Sequence, residues 1–201
     1  MRGLTEEELK ITERFSNTIE RLDKIVFPEN PIEVFVLQCS PLDEAKRFQY
    51  CPKAPNFISN YRGELYLIFG GKLPQRIEEE KNKSIMLFKD SELSKNIYQL
   101  PKFSLEEVLI GLSVHEIRHR FQYHNKNKIL SPRDVERIND PYLKRLFRYV
   151  SLLCEQISPN SFDKEFDAAV VEHIVVELWH EGERSLERIA KIIVSEIFNL
   201  I

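Results

Sequence analysis

No apolar run in this 201-residue chain approaches the length needed to cross a membrane. Nor does an apolar stretch follow the basic residue near Met1, so Met1 to Val26 reads as a charged helix rather than an export signal. Neither sign of charge dominates. The 29 basic and 32 acidic residues leave a net charge of −3, which argues against both a nucleic-acid binder and a polyanion mimic. Cysteine is scarce and unpatterned. Cys39, Cys51 and Cys154 make an odd set, and without an export signal they read as reduced thiols of a cytoplasmic protein. Repeats and low-complexity tracts are also lacking. With 42% hydrophobic and 30% charged residues, the composition is that of a soluble globular chain long enough for one well-buried core. The expected partners therefore include neither nucleic acid nor membrane, and the oligomeric state stays open.

Against that plain background stands His115-Glu116-Ile117-Arg118-His119, an H-E-x-x-H segment. By chance it should occur in roughly one chain of this length in a hundred or fewer. Ser104-Leu105-Glu106-Glu107 is an S-x-x-E capping box that predicts a helix from about residue 104. Leu105, Val108, Leu109, Leu112, Val114, Ile117 and Phe121 give that helix a broad apolar surface to about Tyr123, uninterrupted by proline. Two histidines four residues apart share one helical face, so their ring nitrogens can converge on one zinc ion. Glu116 lies beside them, placed to take a proton from a zinc-bound water. The plainer alternative is a pair of histidines satisfied by core hydrogen bonds.

A catalytic zinc wants three protein ligands and one open position. Of the other histidines, His124 turns away from the metal face, while His173 and His180 lie far along the chain. The better source is the segment from Ser161 to Glu172, which opens a second long helix. Glu165 stands there just ahead of Ala168 and Ala169, small residues that allow another helix to come close. Glu172, seven residues on, shares its face and is an alternative ligand. Glu165 also has a purely structural reading, as a favourable negative charge in the first turn of a helix.

H-E-x-x-H followed, 46 residues after His119, by the helical E-x-x-A of Glu165 to Ala168 resembles the gluzincin branch of the zincin metallopeptidases. The resemblance covers two helical segments, about a fifth of the chain. It implies His115, His119 and Glu165 as zinc ligands and Glu116 as general base. The H-E-x-x-H-x-x-G-x-x-H pattern of another branch fails, since Gln122 occupies the glycine position. One departure from the gluzincin pattern matters. Many members carry an aspartate or asparagine four residues after the ligand glutamate, where it orients the first histidine, but here that position is Ala169. Asp167 sits about 200° round the helix from the corresponding face, which leaves Glu172 as the better substitute.

Elsewhere, Thr5-Glu6-Glu7-Glu8 is a second capping box, opening a helix to about Ile25 with Leu9, Phe15, Ile19, Leu22 and Ile25 inward. Pro28 and Pro31 end it. Residues 32–38, 63–69 and 84–89 read as strands, with 63–70 or the following Gly70-Gly71 as a rim where an extended peptide adds to the sheet. A short helix is expected from Pro132 to Ile138 and a longer one from Pro141 to about Gln156. Two more follow at about 161–180 and 184–199, broken at Gly182. The expected fold is therefore a zincin-like α+β domain: a small N-terminal β-sheet, an active-site helix and a helical C-terminal half. It is read as one domain, with a helix-plus-sheet part at 1–103 and a helical part at 104–201.

These readings converge on a zinc-dependent peptidase acting on a peptide or protein substrate. Zinc would acidify its bound water, Glu116 would accept the proton and pass it to the leaving amine, and a further donor would stabilise the oxyanion. His173, Tyr142, Arg148 and Tyr149 are candidates for that donor. A deformylase-like hydrolase, which takes a cysteine ligand from an upstream strand, fits less well because neither Cys39 nor Cys51 has that family's glycine-flanked setting. A non-catalytic or regulatory zinc-binding protein of the same fold is the principal alternative, although it has no need of Glu116. Arg118, Arg120, Lys126, Lys128 and Arg133, interleaved with Phe121 and Tyr123, also form a candidate basic patch for nucleic acid.

Overall fold

The protein was analysed as a computed structural model, which describes residues 6–31, 35–37, 58–61, 64–68, 104–125, 129–157 and 159–199. The chain divides into two compact units, Met1–Leu109 and Ile110–Ile201, with the division falling inside a helix.

In the first unit, α1 (Glu6–Val26) buries Phe15, Ile19 and Leu22 at helical spacing. It ends just ahead of Pro28, which cannot continue a helix. Thr5 of the proposed capping box, residues 84–89 and Gly70-Gly71 lie outside the described residues. Among the described residues, strand is confined to three fragments, β1 (Phe35–Leu37), β2 (Ile58–Tyr61) and β3 (Glu64–Ile68). β3 lies between the other two, parallel to β1 and antiparallel to β2.

The helix α2 (Leu105–His124) starts where the sequence predicts. The Glu107 carboxylate accepts from the Ser104 amide at 2.5 Å, and the Glu107 amide donates to Ser104 Oγ at 3.2 Å, closing the capping box. In the second unit, a 3-10 turn (Pro132–Glu136) leads to α3 (Pro141–Ile157). Asp140 caps α3, its side chain accepting from the amides of Tyr142 and Leu143 at 2.7 and 2.9 Å with Pro141 in the first position. The helix α4 (Phe162–His180) is apolar on most sides and buries Phe166, Ala168, Ala169, Val170, Val171, Ile174 and Val175. Gly182 ends it at φ +108°. The Glu183 amide reaches Leu178 O and the Gly182 amide reaches Trp179 O, a Schellman closure that favours glycine at this position. Ser185 then caps α5 (Leu186–Val194), and a final 3-10 turn spans Glu196–Asn199.

The expected α+β class is overturned. Helices of 21, 20, 17, 19 and 9 residues make up the described structure, against strand fragments of three, four and five. The unit from Ile110 onward contains no strand among its described residues, so the described structure is predominantly helical rather than a zincin-like α+β domain. The expected rim at 63–70 falls on β3, which is the middle strand and is paired on both sides rather than presenting a free edge. The reason is physical: H-E-x-x-H and its capping box specify a helix and its start, and neither specifies what packs on that helix.

The helices α2 and α4 run antiparallel, with Gly111 against Val176 at one end and Gln122 against Lys164 at the other. Gly111 lets them approach. A Cβ there would stand 2.8 Å from Val176 Cγ2 and 3.3 Å from Glu172 Oε1. Alanine would gain about 1 kcal/mol in helix propensity, whereas overpacking costs about 1–3 kcal/mol. We expect Gly111→Ala to lower stability, by up to about 2 kcal/mol, in urea unfolding. A stabilised variant would mean that α2 and α4 can separate without loss.

Candidate metal centre

The antiparallel pairing sets His115 and His119 of α2 opposite Glu165 in the first turn of α4. His115 and His119 lie one turn apart with their Nε2 atoms 3.0 Å from each other. Glu165 Oε2 is 3.3 Å from His115 Nε2, and Glu165 Oε1 is 3.5 Å from His119 Nε2. One nitrogen or oxygen from each of the three residues thus lies within 4.8 Å of the other two. Tetrahedral zinc with bonds of about 2.0–2.1 Å places its ligands about 3.3 Å apart. The two imidazoles and the carboxylate therefore suit zinc in both spacing and donor type. Their side chains keep 18, 22 and 31% exposure, so the trio is partly open to solvent.

The outward ring nitrogens are also occupied. His115 Nδ1 donates to Glu172 Oε2 at 2.8 Å, since a carboxylate can only accept. Glu172 thus stands behind the first histidine, in the role that Ala169 cannot fill, and Glu165 is the carboxylate facing both Nε2 atoms. His119 Nδ1 lies 2.9 Å from Gln122 Oε1. The Gln122 amide nitrogen is 2.7 Å from Asp167 Oδ2 and 2.9 Å from Lys164 O, both acceptors. Asp167 is fully buried and takes four donors on two oxygens. These are Arg118 Nε and Nη2 at 2.7 and 2.8 Å, Gln122, and the Leu130 amide at 2.8 Å. Arg118 also donates to Ile193 O near the C-terminal end of α5, where a cation is favoured.

Two of the residues read as a basic patch are thus interior: Arg118 and Arg120 are 0% and 1% exposed. Arg133 is exposed, and Lys126 and Lys128 lie outside the described residues. The remaining histidines stand outside the trio. His124 and His180 are exposed at helix ends, and His173 Nδ1 donates to Ala169 O while its ring meets Tyr149 edge-on. Of the other proposed oxyanion donors, the Tyr142 hydroxyl donates to Glu177, and Arg148 is exposed. Sequence reasoning missed Gln122, weighing it only as a position where glycine was wanted. Its spacing of three from His119 on one helix was the available signal. Asp167 was discounted because it was considered only as a direct partner of a histidine.

Charge is concentrated at the centre. Burial alone would lower the His115 pKa, but hydrogen bonds to Glu165 and Glu172 and the nearby carboxylate charges raise it well above its ordinary value. Burial opposes ionisation of Glu165, yet the hydrogen bonds and charges of the two histidines hold its carboxyl well below the usual range. Burial pushes the Glu116 carboxyl up, only partly offset by His119 and His115. Burial and then the charges of Glu165 and Glu172 push the Cys154 thiol up to about 12, so it stays protonated at neutral pH. Comparison with protein-family models, curated proteins and solved structures finds no match.

Two expectations follow. Asp167→Ala leaves the Arg118 guanidinium buried without its carboxylate and should cost about 3–5 kcal/mol. Pairing Arg118→Met with Asp167→Leu should recover most of that in denaturant melts. In the metal-free protein, His115 has a raised folded pKa, so its stabilisation is complete below about pH 6.5 and is lost as pH rises through the folded value. The unfolding midpoint should therefore fall as pH rises above about 6.5, and fall less in His115→Gln. Equal declines in both proteins would remove His115 as the cause.

Proposed function

We propose that this protein is a zinc-dependent hydrolase that cleaves peptide bonds, with His115, His119 and Glu165 as metal ligands and Glu116 as general base. The observation that carries this reading is the convergence of the three residues, with the two histidine Nε2 atoms 3.0 Å apart and one Glu165 oxygen 3.3 Å from the first and the other 3.5 Å from the second, close to the ligand spacing of tetrahedral zinc. Zinc bound there would polarise a substrate carbonyl and make water a better nucleophile near neutral pH.

The protein's own residues supply the rest. Glu116 lies close enough to feel the charges of His115, His119, Glu165 and Glu172, and its raised pKa brings a carboxylate nearer the range useful to a proton acceptor. In the proposed reaction Glu116 takes a proton from the attacking water and delivers it to the leaving nitrogen. Glu172 and Gln122 hold the outward nitrogens of the two histidines and so aim the inward ones. The peptide bond as substrate comes from the gluzincin resemblance of the two helical segments. A cytoplasmic location belongs to the same proposal. Among the described residues no helix is long and apolar enough to cross a membrane, and the Cys154 thiol is buried and unbridged.

Elemental mass spectrometry of the purified protein should find about one zinc per chain. Glu116→Gln should retain that zinc and lose peptide hydrolysis by about a hundredfold or more. Protein that takes up no zinc when supplied with it would reduce the histidines to a structural ion-pair cluster. Zinc binding with turnover unchanged in Glu116→Gln would sink the general-base role.

A further inference from the structure

We infer that Gln122 is a positioning residue that keeps a proton on His119 Nδ1, so that Nε2 is the nitrogen turned toward Glu165 and His115 and left for a metal. The inference rests on the metal-site reading for its consequence and on hydrogen-bond chemistry alone for its geometry. A glutamine side chain has one end that accepts and one that donates. The donating end here is committed, with Asp167 Oδ2 at 2.7 Å and Lys164 O at 2.9 Å, neither of which can donate in return. Turning the amide over would set its oxygen against a carboxylate and a carbonyl. The end that meets His119 at 2.9 Å is therefore the oxygen, and an oxygen without hydrogen requires the proton on Nδ1.

Gln122 is itself held from both sides. It is 3% exposed, and its Asp167 partner is locked by Arg118 and the Leu130 amide. Arg118 is anchored in turn on the end of α5. The orientation of the second histidine thus depends on a buried chain from His119 through Gln122 and Asp167 to Arg118. His115 has a different arrangement, with Glu172 directly behind it.

The test uses metal-free, full-length protein and long-range 1H–15N NMR of the histidine rings, followed by zinc titration against a competing chelator. Wild type should show His119 as the Nδ1–H tautomer. Gln122→Met removes the acceptor and should release His119 to a mixed or Nε2–H state, with zinc affinity falling about 10- to 100-fold. An Nε2–H His119 in wild type, or an unchanged tautomer in Gln122→Met, overturns the inference. If Gln122→Met does not fold, the wild-type spectrum still decides it. A wild-type protein with the expected tautomer but no affinity for zinc would overturn the metal reading and leave the role of Gln122 supported.

Discussion

The second unit is organised around one buried carboxylate. Asp167 carries no exposure and receives donors from Arg118, Gln122 and the Leu130 amide. Those groups belong to α2 and to the segment that precedes the first 3-10 turn, while Asp167 belongs to α4. Through Arg118 the end of α5 joins the same network. A buried charge of this kind costs several kcal/mol to desolvate and is tolerated only with its lone pairs filled. All four donors must therefore be present together, which restricts the register of α2 against α4 more tightly than apolar contact alone. The position of Glu165, two residues before Asp167, follows from that register.

With the register set, the centre assembles from helix periodicity and close approach. Four-residue spacing brings the Nε2 atoms of His115 and His119 together, and Gly111 admits α4 closely enough for Glu172 to stand behind His115. Three carboxylates, Glu116, Glu165 and Glu172, gather around two imidazoles. In the absence of metal, the proton that His115 retains supplies part of the positive charge they demand. A divalent cation would take over that role, so metal uptake and proton release at this centre are linked.

The centre was far more legible than the fold. A helix start at Ser104, a stop at Gly182 and a kink-free run between Ser104 and Tyr123 are local matters, decided by capping and glycine chemistry within a few residues. The meeting of His115, His119 and Glu165 was readable because helical spacing and a family pattern both bear on it. Gln122 and Asp167 were not, because each acts through an intermediate partner and their meeting depends on α2–α4 register across some 45 residues. The basic appearance of Arg118 and Arg120 misled for the same reason. A string of letters shows charge, and only a packed partner such as Asp167 shows that the charge is interior.

The α+β expectation failed because it travelled with the resemblance and had little support in the residues themselves. Residues 32–38 and 63–69 have the β-branched and aromatic content of strands, and fragments of strand do occur within them. Yet strands of three to five residues cannot establish a fold class, and the unit that carries the histidines has no strand among its described residues. Two antiparallel helices with a close-approach glycine suffice to present two imidazoles and a carboxylate at zinc spacing, so the motif requires no sheet. What a sheet adds in peptidases is an edge on which an extended substrate can pair through its backbone. The described residues of the second unit include no strand, so His115, His119 and Glu165 are brought together there by helix pairing alone.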